Sequence, residues 1–344
     1  MADNQSLEPV NSSTTIFSFE QNTNGSTNPY EILKIVHNSD DTLIRNLPIP
    51  MTPTTDENSK DIPLNAKHKT WIRLFRPTQL QGDNFSATNK LPVIIYIHGG
   101  GFILFSAAST MFHDFCKSMA THLSALIVSV EYRLAPENRL PAAYDDAMEA
   151  INWVQNQALD AGNGEPWLRD YADFSKSFIM GCSAGGNIAY HACLRALELD
   201  LEPVKINGLI LHQPFIGGLK RTESEIRLIN DRILPCPVTD LMWELALPIG
   251  ANRDHVYCNP MVDDETINGG KLGLIKRCLV VGCDGDPLID RQIELMKMLE
   301  GKGVKVESWM EEGGFHGIAF LDPQIAEILF GKLKIFIFSD DITN

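Results

Sequence analysis

The sequence predicts an α/β fold in which a central, mostly parallel sheet is covered by helices on both faces. Three observations carry this. Apolar runs of strand length, such as Leu91–Ile97 and Leu279-Val280-Val281, are continuous rather than alternating, as in strands buried on both faces. Stretches with apolar residues at helical spacing separate these runs, so strand and helix alternate along most of the chain. The 344 residues, 44% of them hydrophobic, supply core for one large domain or two ordinary ones.

Taken in order, residues 1–28 are rich in Ser, Asn and Thr and are expected to be a flexible segment lying over the body and contributing to a cap. Residues 30–36 and 70–75 read as strands, with a Pro/Thr-rich connection at 47–55 between them and a polar loop at 79–89 after them. The buried strand Leu91–Ile97 runs directly into His98-Gly99-Gly100-Gly101-Phe102. A helix at 111–122, a strand at 125–130 and a helix at 141–157 follow, the last with Ala143, Ala147, Ile151 and Val154 at helical spacing. Phe178-Ile179-Met180 is a short buried strand, and residues 188–194 continue as a helix.

Beyond a strand at 206–211, residues 215–259 break the rhythm with glycines, prolines and short amphipathic helices at 223–229 and 240–247. An insertion there lies over the carboxyl ends of the strands, as a cap does. The alternation resumes with a strand at 277–282, a helix at 287–299, a strand at 304–309 and a closing helix, Pro323–Phe338.

Charge and cysteine usage narrow the partners. A net charge of −15 with no basic tract repels nucleic acid and anionic membrane surfaces. No membrane-span-length apolar run and no secretory start are present, so the cytoplasm is the expected location. The seven cysteines show no C-x-x-C spacing and are expected as free, mostly buried thiols, with no metal site.

The chemistry centres on Gly181-Cys182-Ser183-Ala184-Gly185-Gly186-Asn187, a G-x-S-x-G pattern between strand and helix. Such a bend holds the serine in a strained conformation and pushes its hydroxyl clear of the sheet, so Ser183 is the candidate nucleophile. The three glycines after Leu91–Ile97 are explained by backbone N–H groups that must approach an oxyanion. A serine hydroxyl also needs a base oriented by a carboxylate. His316, in a loop after the last strand, fits the base; Asp284 and Asp286 both fit the acid by position, and Asp290 fits less well. Cys182 and Cys283 flank the site but do not occupy the apex of the bend. The charges of Glu131 to Glu137, with Asp145 and Asp146, read as loop-tying ion pairs.

Together, His98-Gly99-Gly100-Gly101-Phe102, Tyr132-Arg133-Leu134-Ala135-Pro136-Glu137, the Ser183 motif, and Asp286-Pro287-Leu288 with His316-Gly317 resemble the hormone-sensitive-lipase-like α/β-hydrolases over roughly residues 70–338. Asp240-Leu241-Met242-Trp243 and the stretch from Arg253 to Pro260 are similar to the plant carboxylesterase branch, which also contains gibberellin receptors and 2-hydroxyisoflavanone dehydratases. The resemblance implies an α/β-hydrolase fold with an eight-stranded sheet, one domain over residues 29–344 and a small helical cap at about 215–259. It implies Ser183, Asp286 and His316 as a catalytic triad, with Asp286 rather than Asp284 as the acid, and Gly100, Gly101 and Ala184 as oxyanion donors. Departures exist: many relatives carry aspartate or another polar residue where Cys182 stands, which leaves the hydrogen bonding at the bend open, the receptors lose the histidine that His316 keeps, and the dehydratases favour threonine over Ser183.

The expected activity is hydrolysis of small carboxylic esters with short, acetate-like acyl groups through an acyl-enzyme, by a monomer or weak homodimer without a cofactor. Phe215, Ile216, Val238, Trp243 and Ile318 are the expected substrate contacts, with Ile233, Leu234 and Phe320 near them. A ligand receptor without turnover and a dehydratase or cyclase are the competing readings.

Overall fold

The computed structural model describes residues 28–54, 57–78, 90–160, 162–262 and 270–339; the expectations for residues 1–27 and 79–89 lie outside them. Near the start of the described chain, residues 30–36 are not one strand. Asn28 caps a short helix, α1 (Pro29–Ile32), by accepting the Tyr30 N–H, and Pro29 at the first helical position is preset for it. Strand β1 (Ile35–His37) follows and pairs antiparallel with β2 (Leu43–Arg45).

The main sheet contains β3 (Ser59–Asn65), β4 (Thr70–Phe75), β5 (Leu91–Ile97), β6 (Leu126–Glu131), β7 (Ala172–Cys182), β8 (Ile206–His212), β9 (Arg277–Cys283) and β10 (Lys305–Glu311). Its spatial order is β10-β9-β8-β7-β5-β6-β4-β3, parallel from β10 to β6 and antiparallel at β4 and β3. This is the expected eight-stranded, mostly parallel arrangement.

Strand alternation assigns the faces. Val93, Ile95 and Ile97 of β5 join one core cluster with α3 (Ala142–Leu159), α4 (Pro166–Tyr171), α5 (Ala184–Ala196) and α8 (Ile289–Gly301). Ile94 and Tyr96 join the other, with α2 (Thr110–Leu123) and α9 (Pro323–Phe338). All five side chains are fully buried, which is why β5 reads as a continuous apolar run. Each such burial contributes about 1.5–3 kcal/mol before entropy is counted.

The insertion holds α6 (Glu223–Arg227) and α7 (Cys236–Ala246). A capping box of Thr222 and Glu225 starts α6. Asp240 of α7 accepts from both Arg221 and Arg253, fastening the insertion to itself. On its other side α7 packs against α1, so the early chain and the insertion form one cover. Among the described residues, no helix is long and apolar enough to cross a membrane.

Candidate active site

β7 ends at Cys182 and α5 begins at Ala184, which leaves Ser183 alone at the bend with φ 52° and ψ −123°. A serine in this region costs on the order of 1–3 kcal/mol and persists only where its surroundings enforce it. They do so through the backbone: the Ser183 N–H donates to His212 O at 3.0 Å, and its carbonyl accepts from Phe215 at 2.8 Å and Gly186 at 2.9 Å. The pattern glycines are needed for contact. A Cβ on Gly181 would overlap the Gly185 carbonyl, and one on Gly185 the Ile97 carbonyl.

His316 meets this serine from the loop after β10. Its Nε2 lies 2.9 Å from Ser183 Oγ and its Nδ1 lies 2.8 Å from Asp286 Oδ2. Asp286, fully buried after β9, also accepts from Leu288 N–H through Oδ1 and from Gln292 Nε2 through Oδ2, both at 2.9 Å. Because the carboxylate only accepts, the imidazole proton sits on Nδ1 and leaves Nε2 free to take one from Ser183. Burial, the largest influence on His316, disfavours its cation. The adjacent Asp286 charge and hydrogen bond more than offset this, so the net shift is upward.

The other two acid candidates are occupied elsewhere. Asp284 donates its N–H to Glu311 O at 3.0 Å and accepts from Gly313 N–H at 2.6 Å, joining the loops after β9 and β10. Asp290 accepts from Ser224 N–H at 2.7 Å and anchors α6.

The glycine loop lies beside the nucleophile, since a Cβ on Gly99 would stand 3.1 Å from Ser183 Cβ. Gly100, at φ 120°, has no room for a side chain against the Leu104 carbonyl. Tyr132 supports the loop from below, its hydroxyl donating to His98 O at 3.0 Å and its ring stacking on His98 at 4.3 Å. Among the described residues, none accepts a hydrogen bond from the N–H of Gly100, Gly101 or Ala184. These groups are therefore available to a ligand, and the Ala184 N–H has the α5 dipole behind it. The nearby charges tie loops, as expected: Arg133 binds Asp146 bidentately, Arg45 binds Glu137, and Arg195 binds Asp145.

Neither neighbouring cysteine is poised as a nucleophile. Burial pushes both the Cys182 and the Cys283 thiol up to about 12. Tyr96 donates to Cys182 Sγ at 3.2 Å, which supplies the hydrogen bonding that the departure from aspartate left open. His68, Asp146 and Glu149 form a cluster away from Ser183, but Arg133 takes up Asp146, and Asn65 and Thr70 take up Glu149.

Ser183, His316 and the Gly99-Gly100-Gly101 loop border an apolar cavity of about 1200 Å³, its open mouth included. One wall is aromatic, from Phe105, Phe112 and Phe320, whose rings pack edge to face. The cap supplies Ile233, Leu234 and Met242. A third wall comes from Leu33 and Lys34, in the stretch read as a strand, and from residues 47–50, in the stretch read as a connection.

Expected substrate contacts are thereby corrected. Phe215, Ile216, Val238 and Trp243 do not line the cavity; all are at most 1% exposed and belong to the core under the cap. The bulkiest side chains gain most from the dry interior, and on α7 this turns Trp243 inward and leaves Met242, its neighbour, on the cavity side. Ile318 lies instead at a separate recess with Val281 and Leu329. Ile233, Leu234 and Phe320 do reach the cavity. Gln292 was not foreseen, and its only sequence signal is its position on the helix that follows Asp286.

Comparison with known proteins agrees with this geometry. A family model described as alpha/beta hydrolase fold matches residues 94–320. Two 3-O-acetylpapaveroxine carboxylesterases of Papaver somniferum are 63% identical over 314 residues, 90% of this chain and 99% of theirs, and 62% identical over 316 residues, 91% and 98%. An esterase structure from the archaeon Pyrobaculum calidifontis superposes with a TM-score of 0.67 at 25% identity, covering 86% of this chain and 88% of its own. Fold, order of motifs and these relatives agree that the chain belongs to the α/β-hydrolase family, as a carboxylic ester hydrolase of its plant carboxylesterase branch.

Proposed function

We propose that the protein is a serine esterase that removes short acyl groups, acetate foremost, from apolar alcohols through an acyl-enzyme on Ser183. The observation that carries this is the continuous chain Ser183 Oγ to His316 Nε2 to Asp286 Oδ2, at 2.9 and 2.8 Å, bordering an apolar cavity. In the first step Ser183 Oγ attacks the ester carbonyl while His316 takes its proton, and Asp286 holds the imidazolium that forms. The N–H groups of Gly100, Gly101 and Ala184 receive the oxyanion, each worth about 3 kcal/mol by the cost of deleting such a donor. His316 then protonates the departing alcohol. Water, deprotonated by the same nitrogen, releases the acid and restores Ser183.

Two features support the substrate class. The cavity opens to solvent and is walled by apolar and aromatic side chains, with few polar groups beyond the catalytic ones. The Papaver relatives carry the name of an acetyl ester. A receptor would have no use for a base already bonded to the serine, so the same geometry counts against that reading. The test is hydrolysis of p-nitrophenyl acetate and of acetylated multi-ring alcohols, with intact-mass detection of a fluorophosphonate adduct. Wild type should turn over and be labelled, and Ser183→Ala should do neither; activity surviving in Ser183→Ala would refute the acyl-enzyme.

A further inference from the structure

We infer that Gln213 is a positioning residue that fixes His316 against Ser183, an inference that rests on the esterase reading of the site. His316 sits in a loop that has little rigidity of its own, because Gly313, Gly314 and Gly317 surround it with φ of 76°, 78° and 81°. Gln213 grips that loop on both sides of the histidine. Its Oε1 accepts from Gly317 N–H at 2.8 Å, and its Nε2 donates to Phe315 O and to Cys283 Sγ, each at 3.2 Å.

The grip is anchored where the nucleophile is anchored. Gln213 follows β8 directly and is 3% exposed, and its own N–H donates to Val281 O at 2.7 Å. The residue before it, His212, accepts from the Ser183 N–H, and the second residue after it, Phe215, donates to the Ser183 carbonyl. One four-residue segment therefore holds the strained serine by its backbone and the base by its flanks.

The backbone at this position argues that the side chain matters. Gln213 has φ 45°, a conformation in which glycine or asparagine is the less costly choice. Glycine offers no amide, and asparagine is one methylene too short to span Phe315 and Gly317. Glutamine is the residue that supplies both the reach and the paired donor and acceptor.

The experiment compares wild type, Gln213→Gly and Gln213→Asn, with Ser183→Ala as the control for the chemistry. Both Gln213 variants suit the positive φ, which offsets part of the three lost side-chain hydrogen bonds, and a melting curve checks that each is folded at the assay temperature. With p-nitrophenyl acetate, kcat should fall on the order of 10- to 100-fold while KM stays within about twofold, since the cavity walls are untouched. The low-field proton resonance of the His316–Asp286 hydrogen bond should broaden or vanish in the variants, a signal that needs no turnover. A kcat within about threefold of wild type, with that resonance unchanged, would overturn the inference. If hydrolysis proves independent of Ser183, the esterase reading fails and the resonance alone decides the role of Gln213.

Discussion

The rings of Phe215 and Trp243 stack 4.6 Å apart and 11° from parallel beneath the cap, with Phe102 closing the group 5.1 Å from Trp243. Phe102 directly follows the glycine loop, so this aromatic cluster joins α7 to that loop. Replacing Trp243 with alanine should cost about 3–5 kcal/mol of unfolding free energy by opening a cavity there. Urea titration measures it. The ratio of activities on short- and long-acyl esters should change little, because Trp243 does not reach the substrate.

On the proposed mechanism, the pH dependence of activity follows from His316 as the base. The base must be neutral, and its folded-state pKa is raised above the ordinary imidazole value. Accordingly kcat/KM should fall as pH drops through a midpoint above 6.5. The stability term has the opposite trend: it is fully present below the unfolded pKa, where His316 is charged, and is lost as pH rises through the folded pKa. Asp286→Asn removes the groups that raise it. That variant should lose about 10³- to 10⁴-fold in kcat, with the acid limb of the residual activity moved to lower pH.

Ile49 tests the wall that the early chain provides. Ile49→Trp should fill part of the cavity without touching Ser183, His316 or the glycine loop. Acetates of multi-ring alcohols should lose at least about tenfold in kcat/KM relative to p-nitrophenyl acetate. Equal losses on both substrates would place Ile49 away from the alcohol.

Glu131 gives a stability prediction. Its carboxylate accepts from Ser106 Oγ at 2.8 Å and Ala107 N–H at 2.6 Å, yet burial pushes it up to about 7. Between 4.5 and about 7 the folded protein then binds the extra proton, so stability falls as pH rises through that window. The loss is at most about 3 kcal/mol and is smaller to the extent that water reaches the group. Glu131→Gln keeps an acceptor for both donors and should lack this fall, as urea unfolding at pH 5 and pH 7.5 would show.

The catalytic geometry was legible because its chemistry demands particular residues in a particular order. Gly181 and Gly185 are fixed by steric contact, Ser183 is the hydroxyl between them, and a base and an acid are expected on loops after late strands. The choice between Asp284 and Asp286 rested on the family resemblance, and hydrogen bonding separates them: Asp286 faces His316 and Asp284 faces Gly313. The cavity walls were less legible. Helical spacing on α7 marks apolar residues but does not tell the core side from the cavity side, and Met242 and Trp243 differ by one position. Leu33, Leu47 and Ile49 were missed because no local pattern links them to a serine far along the chain. The residues at 30–36 were read as a strand from their apolar content, when Asn28 and Pro29 carry a helix start.

The wall formed by Leu33, Lys34 and residues 47–50 lies upstream in the chain of Gly99, Ser183, Asp286 and His316. On the proposed esterase reading, alcohol preference on that side is encoded in one contiguous block of sequence, separable from the block that encodes bond cleavage. Chimeras that exchange residues 29–50 between relatives should then move selectivity while leaving Ser183, His316 and Asp286 unedited.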